Sequence, residues 1–371
     1  MMPLTLITWI ALATANNATV LIITRFVLGL SIGIAGSSST LLVVEVAHNK
    51  YRGPLVAFVD FARNSGILVM YCVGYSQLLW RYQALIVGLS TTIPAILLLI
   101  FLKESPRYLI IKNKNTEATK SLRFYRGSKY DISYELEQMR EAACSSKSKK
   151  IGLLDQAKFL CKPQLIKLTF LSSIVVIGSH LSGNFALISY AVEIFIETSP
   201  SFDPYLGAVL LGALRSIGGL ILVITSSKIG RRVTFLVSMI ICSISMAVLG
   251  SFIYFGSHES LMPYRWVPIT FLMVFFCSVT IAVPVGTIFV HELIPLRCRL
   301  LGCGIIDMIF FLGGFVVAST FSFMRRSIQT YGTFWLYSVC SFIFAFVPIL
   351  FLPETRGRSL EDIEKVLKIR K

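Results

Sequence analysis

Apolar residues come in blocks of about twenty, and the charged residues gather in the gaps between them. Nine blocks have full length: residues 18–46, 54–77, 82–102, 168–196, 205–227, 233–255, 266–290, 300–323 and 333–352. A helix crossing a bilayer takes about 20 apolar residues. A strand of a membrane barrel takes about ten, with strict alternation. Each block is therefore expected to be a transmembrane α-helix, and the fold class is all-α, a polytopic helix bundle. Residues 4–15 form a shorter apolar stretch. It reads as the outer half of a span whose beginning is missing. Glycines recur inside the blocks (Gly29, Gly33, Gly36, then Gly212, Gly218, Gly219), a pattern that lets helices approach closely.

One long polar island interrupts the series. Residues 103–167 carry 15 of the 35 Lys and Arg residues. The island divides the chain into a partial first lobe (1–102), a connecting loop (103–167), a six-span second lobe (168–352) and a tail (353–371). Inside the island, residues 115–126 and 131–144 read as two short amphipathic helices with Gly127 as the stop between them. Ser359-Leu-Glu-Asp362 is a capping box that starts a further helix in the tail.

Composition agrees with this layout. Mean hydropathy is +0.75, 55% of residues are hydrophobic and 15% are charged, against about 25% charged in soluble domains. The net charge of +16 does not mark a nucleic-acid binder, because the cations lie between apolar blocks. They follow the positive-inside rule instead. Taking alternate connections, 28 Lys and Arg residues fall on one side and four on the other. The first side, with the C-terminus, is expected in the cytoplasm, and the plasma membrane is the expected location. No metal-binding, nucleophile or HExxH pattern occurs, so neither an enzyme nor a metal or other cofactor is expected.

The two halves repeat one another. Glu45 stands seven residues before Arg52, and Glu292 seven before Arg299. The interval from Glu45 to Glu104 is 59 residues, and from Glu292 to Glu354 it is 62. Parallel repetition of a half is the arrangement of major facilitator carriers, which bind solute at the midplane between halves. The set Glu45…Arg52-Gly53, Glu104-Ser105-Pro106-Arg107, Gly230-Arg231-Arg232, Glu292…Arg299 and Pro353-Glu354-Thr355-Arg356-Gly357 resembles the signature of the facilitative sugar porters. Within them the chain most resembles the insect trehalose-transporter branch. That resemblance implies a major facilitator fold with two pseudo-repeated lobes and twelve spans. It also implies that this chain starts inside the third span, with the first two missing. Arg25 matches a scaffold arginine, and the other named charges match gates at the cytoplasmic ends of spans. The partners implied are a small-molecule solute, expected to be a sugar, and the lipid bilayer.

Placed on the family's pattern, the solute pocket departs from it. The glutamine of the fifth span falls on Asp60, and the paired glutamines of the seventh on Ser179 and His180. The asparagine that follows falls on Phe185, and the amide of the eighth span on Arg215. Thr287 replaces the tryptophan of the tenth span, and Phe310-Phe311 the Asn-Trp of the eleventh. Amides donate and accept at once, as sugar hydroxyls require. Their loss leaves three readings of function: a sugar carrier, a carrier of anionic small molecules, or a non-transporting relative or truncated fragment.

Ionisable residues inside spans cost roughly 2.5–3.5 kcal/mol each on insertion scales, so partners are expected. Asp60 and Arg63 share a helix face. They either neutralise each other or meet solute. Arg63 and Asp307 form a candidate intramembrane pair. For Arg215 the alternatives are an anionic solute and a salt bridge to Asp307 or Asp60. For His180 they are hydrogen-bonded structure and a proton relay.

Overall fold

The computed structural model describes residues 2–47, 52–127, 130–137, 139–140, 153–198, 202–225, 230–255, 264, 266–295 and 298–353. The described residues are almost wholly helical. They contain seven helices long and apolar enough to cross a membrane. Nine such spans were expected. The difference has two sources. Residues 300–323 and 333–352 belong to one continuous helical run, and Arg52–Tyr75, which carries Asp60 and Arg63, is less apolar than the rest. Large apolar side chains stand exposed along the spans, among them Ile22, Phe26, Ile100 and Phe101. Lipid is the solvent that accommodates such a surface.

The backbone divides into two compact units, residues 1–59 with 72–150 and residues 60–71 with 151–371. The first unit contains α1 (Met2–Ala13), α2 (Ala18–Val46), the ends of α3 (Arg52–Tyr75) and α4 (Trp80–Phe101). Trp9 of α1 lies against Gly88 of α4 so closely that a β-carbon at Gly88 would stand 2.6 Å from the indole stem. Arg81 fastens the α1–α2 turn by donating to the Ala15 carbonyl at 3.0 Å and to Asn16 Oδ1 at 2.9 Å. Gly29, Gly33 and Gly36, expected at close helix contacts, have nothing described within 4 Å of their missing β-carbons.

The polar island folds as expected where it is described. α5 (Pro106–Ile111) and α6 (Asn115–Arg126) are followed by helical residues 133–137 and 139–140. Gly127 ends α6 with φ of 84°. Leu109, Ile110, Ala118, Leu122, Ile132, Leu136 and Met139 form a small core of their own. Arg126 closes it. Its Nε and Nη2 donate to Glu135 at 2.9 and 2.6 Å, and its Nη1 to the Val46 carbonyl of α2 at 2.9 Å. Residues 141–144 of the second expected helix, and the tail helix at 359–362, lie outside the described residues.

The second unit holds the middle of α3 with α7 (Leu153–Leu160), α8 (Pro163–His180), α9 (Asn184–Ser189), α10 (Ala191–Thr198), α11 (Pro204–Thr225), α12 (Arg231–Phe255), α13 (Trp266–Leu293) and α14 (Arg299–Phe351). α14 is interrupted at Gln329, where φ is 61°. Packing shows that the chain reverses there. Arg232, at the start of α12, donates to the carbonyls of Pro348 and Ile349, while Gly250, near its end, meets Trp335. The later half of α14 therefore runs antiparallel to α12. The earlier half runs the other way, with Gly302 against Ile294 of the α13 end and Ser322 bonded to Tyr190. Two spans are thus present, as the apolar blocks require. Arg325 pairs with Glu193 at 2.9 Å, and Thr330 donates to Glu197, so α10 holds the reversal in place.

The apolar block 168–196 is a broken helix. α8 ends at His180, Gly183 takes φ of 89°, α9 begins at Asn184, and a second irregularity at Tyr190 precedes α10. A β-carbon at Gly183 would stand 2.5 Å from the Tyr337 ring, so glycine is needed there for both backbone and space. α3 meets α11 through glycines. β-carbons at Gly212 and Gly219 would approach the Leu68 and Phe61 α-carbons to 2.9 and 3.2 Å. Here the small-residue pattern does bring helices together.

Candidate functional site

The break in the seventh expected span sets the site. A helix broken at membrane depth leaves polar groups that neighbouring side chains must satisfy. Tyr71 of α3 donates to the Ile188 carbonyl at 2.8 Å, beside the second irregularity. At the first, Asn184 opens α9 and turns its side-chain oxygen to Arg215 of α11. Arg215 Nη1 donates to Asn184 Oδ1 and Nη2 to Asn64 Oδ1, both at 3.0 Å. Asn64 is oriented for this because its own amide donates to the Asp60 carbonyl at 2.9 Å, one turn earlier in α3. The guanidinium also stands 5.6 Å from the centre of the Phe276 ring.

Arg215 is 6% exposed, and among the described residues no carboxylate pairs with it. Its Nε–H makes no hydrogen bond within the protein. A guanidinium stays charged in proteins and offers five donors in a planar fork. The site is therefore a buried positive charge held by two neutral amides, with donor capacity to spare.

On the other side of the helix break stands His180, the last residue of α8, with 0% of its surface exposed. Its ring packs 4.3 Å from Phe310 and 5.0 Å from Phe185, centre to centre. Gly313 of α14 allows this approach, since a β-carbon there would stand 3.2 Å from the imidazole. Neither ring nitrogen of His180 has a hydrogen-bond partner among the described residues. His180 ends α8 and Asn184 opens α9, so the imidazole–phenyl group and the amide–guanidinium cluster flank the same helix break.

Other residues singled out from sequence are placed differently. Ser179 and Thr287 turn their hydroxyls back to their own helices, onto the Val176 and Val283 carbonyls at 2.7 and 2.9 Å. Phe311 touches Phe310 but is 55% exposed. Asp60 is taken by Arg63 at 3.0 Å, three residues along one helix face. Asp307 lies 3.1 Å from His291 Nε2. The candidate pair Arg63–Asp307 and the salt bridge from Arg215 to Asp307 or Asp60 are thus corrected, because each carboxylate has a nearer partner. Asn64, Asn184 and Tyr71 were not foreseen. Asn184 lies one residue from the position assigned to Phe185, which is the signal that could have found it.

Of the gate charges, Arg231 pairs with Glu292 at 3.5 Å, and Arg232 caps the end of α14 as described above. Arg25, Glu104 and Arg107 are exposed, and the Glu104 carbonyl accepts from Ser121 at 2.5 Å. Glu45, Arg52 and Arg299 lie on helical backbone at helix ends, and their side chains are outside the described set. Glu354 and Arg356 lie outside the described residues.

A bundle of apolar spans, with a repeated charge signature at their ends and buried polar groups gathered at a helix break, defines a multi-pass membrane carrier. The comparisons agree. The family model described as sugar (and other) transporter matches residues 3–367, and the chain belongs to that family. It is 30% identical over 359 residues to the facilitated trehalose transporter Tret1 of Apis mellifera ligustica, covering 96% of this chain and 70% of that protein. With Tret1 of Anopheles gambiae the identity is 28%, over 97% of this chain and 45% of the relative. The chain thus spans about half the length of the mosquito relative. The fold matches the major facilitator proton:xylose symporter XylE bound to 6-bromo-6-deoxy-D-glucose, with a TM-score of 0.75 at 23% identity, over 99% of this chain and 82% of that one. The inward-open conformation of XylE from E. coli gives 0.78 at 21% identity, over 98% and 81%.

Proposed function

We propose that the chain is a sugar porter that works by alternating access and takes its solute at the patch formed by Asn64, His180, Asn184 and Arg215. The observation that carries this reading is the broken helix 163–198, which gathers buried polar groups where an apolar span would otherwise continue. Solute sites of such carriers lie near the midplane at discontinuous helices. Family membership and the Tret1 relatives support carbohydrate as the solute class. Reconstituted protein should exchange labelled glucose, trehalose or glucuronate across vesicle membranes in a saturable way. Binding without exchange would favour the non-transporting alternative, and absence of both would sink the proposal.

The orientation we propose puts the Lys- and Arg-rich connections and the C-terminus in the cytoplasm of a plasma-membrane protein. Cys161, in the basic connection, is exposed and suits a test. An impermeant maleimide should label it only after permeabilisation, with the labelled site read by peptide mapping. Labelling on intact cells would reverse the orientation. Cys298 is buried and a poor reporter.

A further inference from the structure

We infer that the solute carries a single negative charge, in the form of a carboxylate. The inference deepens the porter reading and rests on it for the place of the site. Two independent observations carry it. The first is the charge of Arg215. A buried ion without a counter-ion is costly, and breaking such a pair is among the most destabilising changes known in proteins. Here no carboxylate among the described residues pairs with the guanidinium, although Asp60 and Asp307 lie within spans of the same unit. Asp60 is engaged by Arg63 and Asp307 by His291. Asn64 and Asn184 supply acceptor oxygens but no charge, and Nε–H remains unspent. A carboxylate arriving at this face finds both a counter-charge and a free donor, and bidentate recognition is what the planar fork favours.

The second observation is the state of His180. It is fully buried, and both ring nitrogens are unspent. A neutral imidazole holds one donor and one acceptor, enough for one hydroxyl of a solute. The rings packed on His180 and Arg215 are Phe185, Phe310 and Phe276, which cannot serve hydroxyls, and the Asn64 and Asn184 oxygens are already taken by Arg215. A neutral sugar would lose water from most of its hydroxyls with little in return, at a cost of about 1–3 kcal/mol for each unpaired group. A solute with an anionic end gains one strong charge-assisted contact and asks less of the remaining wall. One guanidinium matches one charge. A phosphate monoester, with about two, would leave part of its charge uncompensated, so the carboxylate is favoured.

The test uses the purified chain in lipid nanodiscs, with binding read by calorimetry for glucuronate, glucose and glucose 6-phosphate. Glucuronate should bind at least roughly tenfold more tightly than glucose, the discrimination expected of a buried charged hydrogen bond. The deciding variant is Asn184→Asp. It keeps the shape, retains Arg215 and places a carboxylate 3.0 Å from it, so the cation is neutralised from within. Glucuronate binding should then fall about tenfold or more, while the melting temperature stays level or rises. Arg215→Lys, which keeps the charge and loses the fork, should weaken glucuronate less than Asn184→Asp does. Glucose binding as tightly as glucuronate would overturn the anion inference and leave the porter reading standing. So would unchanged glucuronate affinity or a lowered melting temperature in Asn184→Asp. Tighter binding of glucose 6-phosphate would overturn the carboxylate assignment. Binding of none of the three would overturn both this inference and the placement of the site.

Discussion

Gly183→Ala is expected to be the most damaging small substitution in the chain. The residue has φ of 89°, and its β-carbon would stand 2.5 Å from the ring of Tyr337. The left-handed backbone alone costs a non-glycine residue about 1–2 kcal/mol. The clash adds a further ~1–3 kcal/mol, typical of overpacking. Tyr337 is fully buried and has little room to yield. Gly304→Ala is the matched control: it lies in regular helix with nothing within 4 Å, so it should stabilise by up to about 1 kcal/mol. Thermal unfolding in detergent should therefore separate the two variants by many degrees, with Gly183→Ala also losing solute binding. Equal melting temperatures would show that the break at residues 181–183 is not fixed as described.

Arg126→Ala is the second large effect, and it should be local to the first unit. The side chain ties the end of α6 to Glu135 and to the α2 carbonyl of Val46, and both members of the ion pair are mostly buried. Removing it takes two charge-assisted hydrogen bonds from Glu135 and one hydrogen bond from the Val46 carbonyl. Hydrogen bonds to charged groups of this kind contribute about 1.5–3 kcal/mol. Hydrogen exchange should accelerate across residues 106–137 while α12 and α13 keep their protection. Arg126→Lys keeps the charge but not the two-pronged contact, so it should fall between wild type and alanine. Protection unchanged in Arg126→Ala would mean that the small apolar core around Leu122 holds this segment alone.

The spans were legible because hydropathy is a one-dimensional property, and block length states it directly. The helix 18–46 emerged as expected for that reason, and the stop at Gly127 because glycine readily takes the left-handed backbone that ends a helix. The break at 181–183 was not legible, since apolar residues run through it and hydropathy carries no record of φ. Gly183 was the only local clue. Arg215 could be placed at mid-span by counting. Its partners could not, because Asn64 lies 151 residues away and reaches it only through the glycine-mediated approach of α3 to α11. Charge bookkeeping from sequence also paired Asp307 wrongly. It weighed opposite charges along the chain and overlooked His291, whose Nε2 stands 3.1 Å from the Asp307 carboxylate.

Solute protection of a cysteine at residue 185 reads occupancy of the patch. Phe185 is half-buried, packs on His180 and follows Asn184, so Phe185→Cys puts a thiol at the edge of the patch without touching Arg215. Its alkylation by a small methanethiosulfonate reagent is followed with and without saturating glucose, trehalose or glucuronate. Cys161, exposed in the basic connection, serves as the internal control. If solute occupies the patch, at least one of these solutes, glucuronate first, slows reaction at residue 185 severalfold and leaves Cys161 unchanged. Identical rates at residue 185 with every solute, or equal slowing at both positions, would contradict it.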